Sequence, residues 1–511
     1  VLDLIAKKPT RSAYSRLMNP NYASITPQAI AVWAEELGHS VHYATFTGPE
    51  DLRRMFPRDL SVLFISAFTP AAYLAYSISM EARARGVVTV LGGPHARAYA
   101  DDAVKYFDYV AGFVDRELIR SIITERSRGA GAGVRVSAPR QPLNLPGVRE
   151  RWKFIGHNLA KARLLRAIPV IGSLGCPYRC SFCVDAEVDY QTLPYDQLRD
   201  DLVFLRTKIG RPVVGFHDPN FGVRFGDYAG IIEEAARPGT FRIVAESSLS
   251  LLGESRLKEM RRLGFGGLTL GVESWFDYND KAKQSRRVGV SKMESVAAHV
   301  DLITRYIPYV QANFVWGLDQ DAGPEPFELT KRFIDRAPAA FPSHSLFTAF
   351  GDSAALGRRL ALEGRVLDIP FHFQDTSSVH NVALKNYSAV QFYGLMADLV
   401  RYSFSPRANR RRFQRSAHGL FSPARWMTLV RSTNADWRVN YYKKLGYLFA
   451  TDDEFHALAA GEAKASPAFF REPVKRELGP YYQHLPGELR AYLERGAPRR
   501  PLSVAALARS A

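Results

Sequence analysis

Cysteine is scarce in this chain of 511 residues, which has only Cys176, Cys180 and Cys183. All three lie within eight positions, in the stretch GCPYRCSFC. An odd number of cysteines packed into one loop argues against a framework of structural disulfides. We therefore expect a reducing compartment and predict that the protein is cytoplasmic.

Long apolar runs are also absent. No stretch approaches the roughly 18 consecutive apolar residues that a membrane span requires, and the first residues lack the basic, apolar and small-residue order of a signal peptide. Hydrophobic residues make up 46% of the chain and charged residues 23%, which is typical of globular proteins. Because one hydrophobic core serves at most about 250 to 300 residues, we expect two or three domains.

Acidic residues are rare towards the C-terminus. Residues 401–450, hereafter the basic segment, contain eleven lysines and arginines but one acid, Asp436. The segment RYSFSPRANRRRFQRSAHGLFSPARW mixes arginines with Phe and Trp, which fits three interpretations. It forms a solvated charged face, a surface for anionic lipid or an anionic substrate, or a nucleic-acid site.

The order of apolar segments predicts an α/β fold. Strand and helix patterns alternate through residues 1–125, which predicts a Rossmann-like parallel sheet with a ligand site at the carboxyl ends of its strands. Residues 126–164 begin with a stretch rich in Gly, Pro and Arg, and we expect a linker there. Six β/α units across residues 165–385 predict a partial or complete barrel, (β/α)6. Residues 386–511 are expected to be mainly helical.

The spacing of the cysteines leaves few interpretations. A structural zinc site needs four ligands, and no further Cys or His follows at ligand spacing. Three buried structural cysteines fit less well, because the stretch begins at the end of a predicted strand, where a barrel carries its chemistry. A catalytic zinc with three thiolates and an open position stays as an alternative. The other interpretation is an iron–sulfur cluster with three thiolate ligands and one iron open to a substrate.

The segment CPYRCSFC resembles the C-x-x-x-C-x-x-C loop of the radical S-adenosylmethionine (SAM) superfamily, with the expected aromatic, Phe182, before the third cysteine. The resemblance covers about residues 165–385. It implies a [4Fe–4S] cluster on the three cysteines, SAM on the open iron, and cleavage of SAM to a 5′-deoxyadenosyl radical.

Three strand ends further along the chain, in VVGFHDPNFGV, LTLGVES and QANFVWGLD, are similar to SAM-binding segments of that superfamily. Taken singly, each is also what an ordinary strand end capped by a polar residue would show. Asp319 stands where a proline is common. The SAM-binding residues implied by the resemblance are Phe182, His217, Asp218, Glu246, Glu273, Asn313 and Gly317.

The segments FISAFTPAAYLA and VTVLGGPHARAYADDAVKYFDYVAG resemble the cobalamin-binding domain that precedes the barrel in one class of radical SAM enzymes. The cobalamin-binding residues implied are Ser66, Phe68, Thr69, Tyr73, Gly92, Gly93, Pro94 and His95. The D-x-H-x-x-G motif that supplies a lower axial histidine is missing, so we expect cobalamin without a protein histidine on cobalt. The alternative is a generic Rossmann-like domain in which Gly-Gly-Pro merely turns the chain.

The resemblance implies a cobalamin-dependent radical SAM methyltransferase that acts on an unactivated carbon, or on phosphorus, of a small-molecule or lipid-like substrate. A cyclase, oxidase or rearrangement enzyme of the same architecture is the alternative, and a non-enzymatic cobalamin or metal carrier is a third. The sequence does not identify catalytic residues beyond the cluster. Expected partners are an electron donor such as flavodoxin or ferredoxin and, through the basic segment, a membrane surface. Nucleic acid is not expected, because relatives that modify transfer RNA need additional cysteines.

Overall fold

The computed structural model describes residues 1–10, 24–125, 133–161, 166–276, 287–416, 418–419, 422–433, 435–463 and 465–495. The chain forms two compact units. The first unit comprises Val1–Pro169, Ala349–Asp375 and Gly461–Ala511. The second unit comprises Val170–Thr348 and Thr376–Ala460.

The first unit is built on a six-stranded sheet. Its strands are β1 Leu2–Leu4, β2 Ala44–Phe46, β3 Val62–Ala67, β4 Val88–Gly92, β5 Tyr109–Ala111 and β6 Val134–Val136. The order is β2-β1-β3-β4-β5-β6 and every neighbouring pair is parallel. The chain reverses its direction across the sheet between β1 and β3, and such a switch point is where open α/β sheets bind ligands. The predicted Rossmann-like sheet is confirmed.

Helices are numbered along the whole chain. Those of the first unit are α1 Ile25–Glu36, α2 Ala72–Ala84, α3 Pro94–Ala98, α4 Ala100–Ala103, α5 Arg116–Glu125, α6 Val148–Lys161, α12 Ala355–Leu362, α18 Ala468–Leu478 and α19 Gly487–Arg495. Helices α1 and α2 end at the predicted glycines, since Gly38 and Gly86 have φ of 85° and 79°.

The range predicted as a linker contains regular structure where it is described. Strand β6 adds to the edge of the sheet, and α6 is a helix of 14 residues. Gly and Pro dominate only the start of this range, whereas Val148, Phe154 and Ile155 are buried on one side of α6. Phe154 packs on Tyr43 with ring centroids 5.1 Å apart. The predicted domain limits at 125, 164 and 385 stay predictions.

The second unit is built on another six-stranded sheet. Its strands are β7 Ala167–Val170, β10 Val213–Phe216, β11 Arg242–Ser247, β12 Phe265–Glu273, β13 Tyr309–Trp316 and β14 Phe341–Leu346. The second unit begins at Val170, the last residue of β7. The order follows the chain, β14-β13-β12-β11-β10-β7, and the pairs from β10 to β14 are parallel. Five helices connect the strands: α7 Tyr195–Ile209, α8 Phe225–Ala235, α9 Glu254–Leu263, α10 Gly289–Tyr306 and α11 Glu325–Arg336. This is the predicted (β/α)6 arrangement, present as a sheet of six strands in chain order.

Burial alternates residue by residue along β11 and β13, and nearly so along β12. Because successive side chains of a strand point to opposite faces, one face is buried and the other stays partly open. The open face carries four polar residues that matter below, Glu246, Thr269, Glu273 and Asn313.

The predicted helical region follows the sheet. Its helices in the second unit are α13 Ala389–Ser403, α14 Pro406–Arg415, α15 Pro423–Ser432, α16 Ala435–Thr451 and α17 Asp453–Ala459. Helices α13 and α16 pack through aromatic rings, with Tyr393 5.8 Å from both Tyr442 and Phe449. None of the described helices combines the length and the apolar character needed to cross a membrane.

Candidate active site

The three cysteines lie in a closed loop at the carboxyl edge of the second sheet. Two short strands after β7, β8 Ser173–Leu174 and β9 Gln191–Thr192, pair antiparallel and close the loop. Gly175 enters it with φ of 67°, and a Cβ there would lie 2.4 Å from the carbonyl oxygen of Val188. Any side chain would clash with the backbone at Val188, so the position before the first cysteine requires a glycine.

None of the three cysteines, all of which the structure describes, is in a disulfide. Cys176 and Cys180 are buried and Cys183 is half-buried, and the Cys183 N–H donates to the Cys180 carbonyl at 3.0 Å in a tight turn. Within the described residues, no group of three or more His, Cys, Asp or Glu side chains is arranged to hold a metal ion. A four-iron cluster requires a different arrangement, because each thiolate bonds its own iron. Three reduced thiols on one closed loop therefore fit such a cluster.

Asp218 and His217 follow β10 but face different surroundings. His217 is exposed, and its N–H donates to the Val170 carbonyl at 2.8 Å. Asp218 is buried, and its carboxylate accepts hydrogen bonds from the Gly172 N–H at 3.0 Å, from Ser173 Oγ at 2.6 Å and from Tyr228 OH at 2.9 Å. Burial raises the pKa of Asp218 in spite of these bonds. The carboxylate is thus engaged at the base of the cysteine loop.

Glu273 ends β12 in a strained conformation. Its φ is 64°, and it is the one non-glycine residue with positive φ in the part of the chain that the structure describes. The register against β13 shifts between Gly271 and Glu273, which is a β-bulge. A Cβ on Gly271 would lie 2.2 Å from Glu273 Oε1, so the carboxylate folds back over the glycine. Strain of this kind persists where a function requires it, and it marks Glu273 as a candidate ligand residue.

Beside Glu273, the open face of the sheet carries a row of polar side chains. Thr269 lies opposite Glu246 on β11 and Gln311 on β13. The Thr269 hydroxyl is buried and lacks a hydrogen-bond partner within the described structure. Such a group costs about 1 to 3 kcal/mol unless a ligand or water satisfies it. It was not predicted from the sequence, because a threonine in a strand is ordinary.

Asn313 is oriented by its neighbours on β13. Its Oδ1 accepts from Gln311 Nε2 at 2.7 Å, and Gln311 Oε1 accepts from Tyr309 OH at 2.9 Å and from Arg431 Nη1 at 2.6 Å. Because Oδ1 is engaged, the amide Nδ2 is the group that Asn313 presents as a donor. Arg431 comes from the basic segment, 120 residues away in sequence, and no local pattern could have revealed it.

The other predicted SAM residues lie at loop positions. Phe182 is half-buried in the cysteine loop. Gly317, after β13, has φ of 97°, and a Cβ there would approach Leu384 Cδ2 to 2.9 Å. After Glu273, Ser274 Oγ donates to Asp321 at 2.6 Å, which joins the strand ends of β12 and β13.

The first unit brings together the residues predicted for cobalamin at its own switch-point edge. Ser66 on β3 lies opposite Gly92 on β4. Gly93 has φ of 87°, and a Cβ there would lie 2.9 Å from Ser66 Oγ and 3.0 Å from the Ala67 nitrogen. This glycine therefore permits both the turn into α3 at Pro94 and the close approach of two strand ends.

His95, also predicted for cobalamin, is fully buried. Its Nε2 lies 2.7 Å from Tyr76 OH and its Nδ1 lies 3.4 Å from Thr69 Oγ1. Tyr76 donates its single proton to Asp102 at 3.0 Å. His95 Nε2 is consequently the donor to Tyr76 and Nδ1 the acceptor from Thr69.

Two further predicted cobalamin residues differ in exposure. Tyr73 is buried, with its ring 5.8 Å from that of Phe371. Phe68 is 47% exposed, an unusual exposure for a phenylalanine at a strand end. Phe68 and Tyr73 flank the start of α2, next to the edge that carries Ser66.

A buried acid at this edge was missed in the sequence. Asp3 on β1 lies opposite Thr45 on β2 and Ser66 on β3. It accepts from the N–H of Ser24 at 2.9 Å and from the Ser24 hydroxyl at 3.2 Å. Burial raises the pKa of Asp3 to about 6. The sequence signal that could have revealed it is a single acidic residue within the apolar run VLDLI, which indicates a buried carboxyl group.

Residues 170–319 match the sequence profile of the Radical SAM superfamily. This segment is a radical SAM domain. Such a domain implies a [4Fe–4S] cluster and SAM as cofactors, as the cysteine motif predicted. A bacteriochlorophyllide d C-12(1)-methyltransferase from Chlorobaculum tepidum is 25% identical over 303 residues. The match covers 58% of this chain and 65% of that enzyme, slightly less than two thirds of its length.

Two solved structures share the fold over most of the chain. The radical SAM methyltransferase TsrM from Kitasatospora setae, with cobalamin and a [4Fe–4S] cluster bound, superposes with a TM-score of 0.51 and 16% identity. That match covers 72% of this chain and 76% of TsrM. The cobalamin-dependent radical SAM enzyme OxsB, with aqua-cobalamin and SAM bound, gives a TM-score of 0.51 at 12% identity over 95% of this chain and 84% of OxsB. At these identities the likeness concerns the fold.

Proposed function

We propose that the protein is a cobalamin-dependent radical SAM methyltransferase that methylates an unactivated carbon, or a phosphorus, of a small-molecule or lipid-like substrate. The closed loop of three reduced cysteines on the radical SAM sheet carries the proposal. A second parallel sheet with a glycine-lined switch point supports a second cofactor. The methyltransferase named above, and the cobalamin in TsrM and OxsB, support its assignment as methyl transfer through cobalamin.

The residues of the second sheet have distinct roles in this proposal. Cys176, Cys180 and Cys183 hold the cluster. When bound, the cluster supplies the electron for SAM cleavage, and cobalamin supplies the methyl group. Glu273 accepts hydrogen bonds from the ribose hydroxyls of SAM, and Asn313 donates its amide to the adenine.

In the first unit, Ser66 and the Gly92-Gly93 backbone line the cobalamin site. Both ring nitrogens of His95 are engaged with Thr69 and Tyr76, so His95 supports the site without binding cobalt. Because the D-x-H-x-x-G motif is also missing, we expect cobalamin to bind without a histidine on its lower face. Electron spin resonance of the cob(II)alamin form tests this, since a histidine ligand would add nitrogen superhyperfine splitting.

The test of the whole proposal is anaerobic reconstitution followed by product analysis. The wild type should take up about four irons per chain, and replacing all three cysteines by Ala should remove both the iron and SAM cleavage. With its substrate, the enzyme should release one S-adenosylhomocysteine and one 5′-deoxyadenosine for each methyl group transferred. Less than one iron per chain, with zinc in its place, would disprove the cluster.

One alternative enzyme class gives a different product ratio. A cyclase, oxidase or rearrangement enzyme would form 5′-deoxyadenosine without S-adenosylhomocysteine and would leave the product unmethylated. Either class needs one-electron reduction of the cluster, and we propose flavodoxin or ferredoxin as the donor.

Some arginines of the basic segment make contacts within the protein. Fewer residues of this segment are therefore available to contact a membrane surface. Arg412 is buried and donates to backbone carbonyls of Ala340 and Ser403 at 3.2 and 2.8 Å. Arg431 donates to Gln311, as described above. The exposed basic and aromatic residues that remain among the described ones are Arg401, Arg407, Arg410, Arg415, Trp426, Trp437, Lys443, Lys444 and Tyr447.

We propose that these exposed residues contact an anionic lipid surface, because lysines, arginines and interfacial aromatics together favour lipid headgroups. Binding to vesicles containing phosphatidylserine should fall sharply as salt rises, since charges are screened over about 8 to 10 Å at 0.1 to 0.15 M. A double Arg407→Ala, Arg410→Ala variant should bind less. If the wild type does not bind these vesicles at low salt, the segment is a solvated charged face and not a lipid-binding surface.

A further inference from the structure

Asp218 receives hydrogen bonds from three residues of the second unit. Gly172 lies between β7 and β8, Ser173 begins β8, and Tyr228 belongs to α8. All three donors are buried, and Asp218 itself is 1% exposed. The carboxylate accepts its bonds on both oxygens.

The surroundings of these bonds are close-packed. A Cβ on Gly172 would lie 2.7 Å from the Tyr228 ring and hydroxyl. Only a glycine therefore lets the backbone approach Tyr228 closely enough for both to reach Asp218. Ser173 in turn pairs with Thr192 on β9, which closes the cysteine loop.

From this geometry we infer that Asp218 is a positioning residue for the cysteine loop and does not bind SAM. It fixes Gly172 and Ser173, the two residues that set where the loop begins, four and three positions before Cys176. Burial and the three donors leave the carboxylate no access to an amino group of SAM. The inference rests on the proposed cluster, because the loop needs this fixed geometry only if its thiolates share a cluster.

Asp218→Asn and Ser173→Ala test the inference in the full-length protein. Groups that orient metal ligands typically change metal affinity roughly 10-fold to 100-fold when removed. We expect each variant to reconstitute with less iron than the wild type. We also expect a chelator to remove iron roughly tenfold faster, and the spin-resonance signal of the reduced cluster to broaden. Ser173→Ala removes one hydrogen bond without introducing a buried mismatch, so it remains informative if Asp218→Asn fails to fold.

Asp321→Asn is the matched control, since Asp321 is equally buried and also accepts from a serine, Ser274, at 2.6 Å. It should keep its iron and the wild-type rate of iron loss. The inference is overturned if Asp218→Asn and Ser173→Ala lose iron at the wild-type rate while Asp218→Asn binds SAM at least tenfold more weakly. That result would show that Asp218 binds SAM, as predicted from the sequence. A wild type that takes up no iron would instead refute the proposed function.

Discussion

The residues predicted to bind cofactors at the carboxyl edges of the two sheets differ in how far the protein itself satisfies them. In the first unit, His95 is fixed by hydrogen bonds on both ring nitrogens, and two glycines allow strands to approach closely. In the second unit, the edge holds a strained Glu273, a Thr269 hydroxyl without a partner in the described structure and three reduced thiols. Satisfied groups form a preformed surface, whereas strain and unmet hydrogen-bonding capacity indicate where bound groups complete the structure.

Burial shifts the pKa of carboxyl groups and of histidines in opposite directions. Burial raises the pKa of Asp3 to about 6 in the first unit, and lowers the pKa of His344 to about 3 and of His380 to about 4 in the second. The contribution of Asp3 to stability is therefore present below pH 4 and lost as the pH rises to about 6. The contribution of the histidines is present above pH 6.5 and lost as the pH falls. These groups respond to acid with opposite signs.

The largest expected effect is that of Gly93→Ala in the first unit. The new Cβ would combine positive φ with a 2.9 Å approach to Ser66 Oγ. We expect a loss of about 3 kcal/mol in the free energy of unfolding, and loss of cobalamin on gel filtration. Iron content should not change. Unfolding is followed by denaturant titration, and both cofactors by absorbance and metal analysis.

Gly38→Ala is the control, because Gly38 has φ of 85° but no described atom within 4 Å of the position that a Cβ would occupy. It should cost about 1 to 2 kcal/mol from backbone strain alone and keep cobalamin. If both variants retain cobalamin equally, the contact between Gly93 and Ser66 has no part in the site.

Asp3→Asn tests how the titration of the Asp3 carboxyl affects the stability of the protein. Asn can accept from the Ser24 N–H with its oxygen and donate from its NH2 to the Ser24 hydroxyl, but it cannot ionise, so it avoids the cost of a buried carboxylate at neutral pH. Its stability relative to the wild type should rise between pH 4 and pH 8, to at most about 3 kcal/mol. Thermal unfolding across this pH range measures the difference. A difference independent of pH would show that the pKa of Asp3 is not raised.

In the second unit, Gly271→Ala should displace the carboxylate of Glu273, because a Cβ would lie 2.2 Å from Oε1. We expect SAM affinity to fall about tenfold to a hundredfold with the cluster intact, since a lost hydrogen bond to a charged group is worth about 1.5 to 3 kcal/mol. Anaerobic calorimetry measures the affinity. Gly267→Ala, on the same strand with ordinary contacts at 3.5 Å, should bind SAM normally. Equal affinities would exclude Glu273 from the SAM site.

The sequence predicted both sheets and the cluster loop, because these follow from local signals. Apolar runs separated by amphipathic helices define the strands, and the cysteine spacing defines the loop. What the sequence could not predict depends on distant residues. Phe371 packs 4.8 Å from His95, and residues 349–375 belong to the first unit although they follow the last strand of the second sheet.

Charge and composition were the least informative signals. In the sequence, every arginine of the basic segment contributes the same charge. In the structure, Arg412 is buried and Arg431 donates to Gln311. Arg407 and Arg410 are exposed. Three-dimensional surroundings decide between these roles. The same holds for Asp218, whose position at a strand end fits a ligand residue but whose bonds fit a positioning residue.

The smallest predicted effect, that of Thr269→Val, tests whether unmet hydrogen bonding marks a ligand site. Valine has the same shape and suits a strand, and it removes a buried hydroxyl that has no partner among the described residues. Without SAM, the variant should be about 1 kcal/mol more stable than the wild type, because the desolvation cost of the hydroxyl is gone. With SAM, its affinity should fall about threefold to tenfold, because a hydrogen bond worth about 1 kcal/mol is lost. Denaturant titration and calorimetry give the two quantities. A gain in stability with unchanged SAM affinity would show that Thr269 carries an ordinary packing defect, and that an unpartnered hydroxyl in this sheet does not identify its ligand.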